Sequence, residues 1–123
     1  MTTTCIEITG NTLVVTERAD LREFDSRSID AKGDDILQKL NDPRLCNVVM
    51  DLSGTDYYGS STLNLFLRID KKTHAKNGRL ILVGLSPHET DILHVTKLDS
   101  RWTICKSRDE ALATLRQPVH AAQ

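Results

Sequence analysis

Asn47-Val48-Val49-Met50-Asp51-Leu52, then Ser60 to Lys76 after the loop Ser53 to Gly59, then Arg79-Leu80-Ile81-Leu82-Val83-Gly84: this run decides the fold. Both short runs are almost continuously apolar, the pattern of strands covered on two faces in a parallel sheet rather than wetted on one. Between them Leu63, Phe66 and Leu67, with Leu65 and Ile69 on the shoulder, recur at helical spacing, while Arg68, Asp70, Lys71, Lys72 and Lys76 are expected to face out. Asn77-Gly78 then stops the helix as a left-handed cap would. Parallel strands joined through a helix form a crossover unit, so the centre of the molecule is β-α-β.

Working outward, Cys5-Ile6-Glu7-Ile8 and Thr12-Leu13-Val14-Val15-Thr16 are β-rich runs around Thr9-Gly10-Asn11, which reads as an opening hairpin. From Asp25 or Ser26, Ile29, Ile36, Leu37 and Leu40 follow a helical spacing, firm over Asp34 to Leu40 and weakened earlier by Gly33. Beyond the centre, Pro87 after Ser86 opens a helix with Glu89, Ile92, Leu93 and Val95 along one stripe. Trp102 to Cys105 reads as a short strand, and Ser107 caps a last helix to Leu115 with Ala111, Leu112 and Leu115 inward. The expected architecture is α/β: a mixed, mostly parallel sheet of about 4–5 strands covered by about four helices, an opening hairpin followed by βαβαβα. Residues 1–123 read as one domain, ordered over about 5–116, in keeping with roughly 100–200 residues per domain.

Composition narrows the function. Lys and Arg number 16 against 17 Asp and Glu, a net charge of −1, which gives no field to hold a phosphate backbone, so nucleic acid is not expected. Aromatic residues make up 4% of the chain, too few for a base-stacking platform or an aromatic cofactor cavity. Cys5, Cys46 and Cys105 show no paired spacing and read as reduced thiols. The N-terminal residues carry neither a basic nor an apolar leader, and no long apolar window occurs, so a cytoplasmic protein without membrane contact is expected.

Each candidate chemical motif also has a plainer reading. Asp51 at a strand's C-terminal end sits where phospho-accepting receiver domains keep an aspartate, but Ile8-Thr9-Gly10-Asn11 supplies no acidic partner for a divalent ion. Gly59-Ser60-Ser61-Thr62-Leu63 lacks the second glycine of a nucleophile elbow. His88 and His94 miss the spacing that puts two imidazoles on one helix face, so no metal is expected. Lys71, Lys72, Lys76 and Arg79 read as a solvated face near a helix C-terminus. Ser60-Ser61-Thr62 remains: helix capping alone selects such residues, yet three hydroxyls beside two tyrosines also form a surface for a kinase or a partner. A phosphoryl group there adds roughly −1.5 to −2 charges, tolerated by the helix N-terminus and repelling an acidic or apolar partner.

The stretch from Asn47 through Asp51-Leu52-Ser53-Gly54-Thr55-Asp56-Tyr57-Tyr58-Gly59-Ser60-Ser61-Thr62-Leu63-Asn64 to Leu65 resembles the signature of STAS domains, the fold of bacterial anti-sigma-factor antagonists. In that pattern a strand "vvlDlsgv" leads into a loop "D-S-S/T-G-L-G" that opens the second helix. The similarity extends over about residues 5 to 116. It implies a non-catalytic module that needs no cofactor, binds an anti-sigma factor with serine kinase activity, and is released by phosphorylation. Carried over by position, the phosphoacceptor is Ser61, with Ser60 as the alternative. Asp56, Tyr58, Gly59, Ser60, Ser61, Thr62 and Asn64 are the implied partner-binding residues. Gly59, Thr62 and Asn64 depart from the pattern's Asp and two glycines. Those departures support docking more than phosphorylation, and leave open a constitutive adaptor or subunit of a larger complex. A weak homodimer is compatible with so neutral a domain, and some domains of this fold are proposed to hold nucleotide near this loop.

Overall fold

The computed structural model describes residues 4–17, 26–53 and 60–116. The elements in chain order are β1 (Thr4–Thr9), β2 (Thr12–Glu17), α1 (Ser26–Lys39), β3 (Asn47–Asp51), α2 (Ser60–Ala75), β4 (Leu80–Val83), α3 (Pro87–Val95), β5 (Thr103–Cys105) and α4 (Arg108–Leu115). They build one five-stranded sheet in the order β1-β2-β3-β4-β5. β1 and β2 are antiparallel, with Thr9 opposite Thr12, so Gly10-Asn11 is the two-residue loop of a hairpin. The remaining pairings, β2 to β3, β3 to β4 and β4 to β5, are parallel. The expected mixed, mostly parallel α/β sheet with four helices is what the described residues form.

The period-2 geometry of the strands divides the core in two. Leu13 and Val15 of β2, Val48 and Met50 of β3, and Leu80 and Leu82 of β4 face one side, where α1 adds Ile36, α2 adds Leu65, Phe66 and Ile69, and α3 adds Leu93. Val14, Val49, Ile81, Val83 and Cys105 face the other, covered by Ala111, Leu112 and Leu115 of α4. Three helices therefore cover one face and one short helix the other. Phe66 and Trp102 meet edge to face, with ring centroids 5.8 Å apart and an interplanar angle of 88°.

Several local expectations change. β3 ends at Asp51 and β5 begins at Thr103, so Leu52 and Trp102 lie just outside the strands. Both are nevertheless buried in the core on the side covered by three helices, and the Leu52 N–H still donates to the Val83 carbonyl of β4 at 2.9 Å. α1 runs unbroken from Ser26 through Gly33. α2 is rotated from the expected phase: Leu65, Phe66 and Ile69 are buried, whereas Leu63 and Leu67 are only half-buried. Val95 does not join the α3 stripe; it is 79% exposed. Glu89 is buried for a polar reason, since its carboxylate accepts from the Ser86 backbone N–H while Ser86 accepts from the Glu89 N–H, a capping box. Lys76 does not face solvent, because its Nζ donates to the carbonyls of Leu40 and Asp42 and satisfies the end of α1.

The end of α2 also differs in detail. Asn77, at φ 63°, takes the left-handed position, and the N–H groups of Asn77 and Gly78 return to His74 and Thr73. This is a Schellman cap. Gly78 serves close approach instead: a Cβ there would sit 1.8 Å from the Cys46 carbonyl oxygen.

Candidate interaction site

The C-terminal ends of the parallel strands form the edge from which α2 departs. Asp51 closes β3 there with its carboxylate almost fully buried. Its Oδ1 accepts from the Ser53 N–H at 3.0 Å and from Ser53 Oγ at 2.5 Å, fixing the first turn of the chain that leads to the serines. Its Oδ2 accepts from Arg108 Nε at 2.8 Å. Burial pushes the Asp51 carboxyl up, but the hydrogen bonds from Ser53 and Arg108 outweigh it and hold the group below its ordinary value. The same contact raises the Arg108 guanidinium.

Arg108 is the first residue of α4, and its fork reaches three strands. Besides Asp51 it donates through Nη2 to Thr16 Oγ1 and through Nη1 to Glu7 Oε1, the last at 3.4 Å. One guanidinium thus ties β1, β2 and β3 to the start of α4. Gly84, just past β4, closes the same edge: it holds φ 71°, and a Cβ on it would meet Ser53 Cβ at 2.7 Å. A side chain there would push Ser53 away from Asp51.

Ser60 begins α2, and Ser61 is half-buried in its first turn. Asn64, one turn later, is exposed. Thr62 is 2% exposed and its Oγ1 has no hydrogen-bond partner among the described residues. Its position on the inward arc with Leu65, Phe66 and Ile69 corrects its place among the surface residues, because at 100° per residue the chain turns it toward the sheet. Asp56, Tyr58 and Gly59 lie outside the described residues. Ser61 and Asn64 therefore share one outward stripe of α2, with Thr62 beneath it.

Sequence reasoning singled out Asp51 but missed Arg108. Its partner lies 57 residues away, a separation at which no helix or hairpin spacing signals a contact. Among the described residues no group of three or more His, Cys, Asp or Glu is placed to hold a metal ion. His94 pairs instead with Asp99, Nδ1 to Oδ2 at 3.1 Å. No helix of the described residues is long and apolar enough to cross a membrane.

Comparison with known proteins places this geometry. The family model of the STAS domain matches residues 6–111. The chain belongs to the STAS family. The STAS domain is 30% identical over 69 residues to BtrV of Bordetella bronchiseptica, a protein described as a candidate anti-sigma factor antagonist. That stretch is 56% of this chain and 60% of the relative, so the match spans less than two thirds of BtrV. Among solved structures, an anti-sigma-factor antagonist domain from Planctomyces limnophilus superposes with a TM-score of 0.80 at 23% identity, over 93% of this chain and 98% of that one. SpoIIAA in its unphosphorylated form gives a TM-score of 0.80 at 20% identity, over 94% and 98%. The Bacillus cell fate determinant SpoIIAA in its phosphorylated form gives 0.72 at 20% identity, over 90% and 97%. At these identities the structural likeness establishes the fold.

Proposed function

We propose that this STAS domain is a non-catalytic interaction module, an anti-sigma-factor antagonist that uses the serine-bearing start of α2 to bind an anti-sigma factor with serine kinase activity. Ser61 is the regulated position, with Ser60 as the alternative, and the protein acts in the cytoplasm. The observation that carries the reading is the place of Ser61. It is half-buried in the first turn of a sixteen-residue helix, on the stripe that continues through exposed Asn64. A phosphate there is favoured by the helix's own N-terminal dipole, so modification leaves the domain folded while adding charge to the docking surface. Asp56, Tyr58 and Gly59 would supply the loop side of the contact. Thr62, turned inward, acts through packing.

The departures Gly59, Thr62 and Asn64 favour a second reading, a constitutive adaptor never phosphorylated. Ser61→Ala and Ser61→Asp baits, compared in native lysate with mass spectrometry of bound proteins and of the Ser60 to Thr62 peptide, separate the two. The switch reading expects an ATPase-type kinase on the Ala bait, its loss from the Asp bait, and phosphate on Ser61. The same partner on both baits with no phosphate establishes the adaptor.

A further inference from the structure

The basic residues of α2 divide into two sets. Arg68 Nη2 pairs with Asp34 Oδ1 at 2.8 Å, Lys72 Nζ donates to Asn41 Oδ1 at 2.8 Å, and Lys76 Nζ donates to the Asp42 carbonyl at 2.8 Å. All three are directed to α1 and the turn that follows it. Lys71 and His74 are exposed and line a groove of about 510 Å³ with Leu67, Asp70 and Arg101.

The groove holds two cations, Lys71 and Arg101, against one carboxylate, a surplus of one positive charge. Its one carboxylate, Asp70, is already engaged by Arg101, Nε to Oδ2 at 3.0 Å, with the Asp70 side chain 17% exposed. Lys71 has no ion-pair partner among the described residues. That surplus sits on a domain whose net charge is −1, opposite in sign to the whole. Half-buried Leu67 supplies an apolar floor. Ser61, Asn64, Leu67, Lys71 and His74 follow one another at steps of three and four, one stripe along the helix. Lys71 lies about 15 Å from Ser61 along the axis, at a rise of 1.5 Å per residue.

We propose that this groove is a docking site for an acidic peptide segment of the protein partner, an apolar side chain seated on Leu67 and carboxylates between Lys71 and Arg101. The proposal rests on the interaction-module reading and adds to it a second contact, remote from the regulated serine. A protein segment fits better than a small anion, because the cations flank an apolar floor and continue the stripe that begins at Ser61. Rim charges of this kind set association rate and salt dependence more than they set total affinity.

The probe is the peptide acetyl-Glu-Glu-Leu-Glu-Glu-amide, titrated at low salt into isotopically labelled protein and followed by amide chemical shifts. The expected result is saturable shifts confined to Leu67, Asp70, Lys71, His74 and Arg101. Affinity should fall at least tenfold in the Lys71→Glu/His74→Glu variant, whose spectrum otherwise stays dispersed, and the lysine counterpart peptide should shift nothing. Absent shifts, equal shifts around Arg44 and Lys97, or tighter binding of inorganic phosphate or AMP at the groove each overturn the proposal. The outcome is independent of Ser61: the bait comparison can fail while the peptide binds, and the reverse.

Discussion

Arg108 joins acceptors on three strands through one side chain. Truncating it leaves Asp51 buried with Ser53 as its remaining described donor. Since the Arg108 side chain is 35% exposed, water takes up part of the loss, and Arg108→Gln is expected to cost about 1–2 kcal/mol in urea unfolding at neutral pH. The pH dependence follows from the sign of the Asp51 shift. Its folded value is depressed, so its contribution is full above the unfolded value of about 3.9 and is lost as pH falls through the lower folded value. Asp51→Asn should therefore lie well below the parent in stability at pH 7, with the gap closing below about pH 4. A constant gap across that range, measured by urea melts, contradicts the assignment. Among thiols, Cys5 is exposed and Cys105 is buried with its pKa raised chiefly by burial. A maleimide reagent should modify Cys5 in the native protein and Cys105 only on unfolding.

Individual elements were legible where local chemistry decides them. The Gly10-Asn11 hairpin, the Ser86 and Ser107 caps and the buried runs of β3 and β4 all lie where turn, cap and strand patterns put them. The phase of α2 was not legible. Leu63, Leu65, Phe66, Leu67 and Ile69 together span more than half the helix circumference, so periodicity alone leaves the buried arc undetermined. The arc is chosen by the sheet and by α1, which take Leu65, Phe66 and Ile69 and leave Leu67 at the groove. For the same reason the basic cluster could not be resolved into clamps on α1 and groove residues. At the element scale, Ser61→Asp adds an anion to the first turn of α2 and is expected to leave thermal stability unchanged or raise it by up to about 1 kcal/mol. Loss of partner binding by that variant is then not a folding defect, and a lowered melting temperature would count against the switch reading.

At the scale of the whole molecule, stability rests on the three-helix side of the sheet. Phe66 is fully buried there against Trp102, and Phe66→Ala should cost about 3–5 kcal/mol, visible as a large shift in the denaturation midpoint. Gly78→Ala should be costly without removing a single apolar contact. The added methyl has no room against the Cys46 carbonyl, and a loss of roughly 2–4 kcal/mol is expected. The strand order holds a further consequence. The strands lie side by side in the same order in which they occur along the chain. A nascent polypeptide leaving the ribosome can add each one to the free edge of what has already emerged, with no gap held open for a later insertion. The exception is the last helix, whose first residue reaches back 101 positions to Glu7. Until translation has delivered α4, the first three strands lack their common guanidinium, so this sheet is sealed only after its last strand has already emerged.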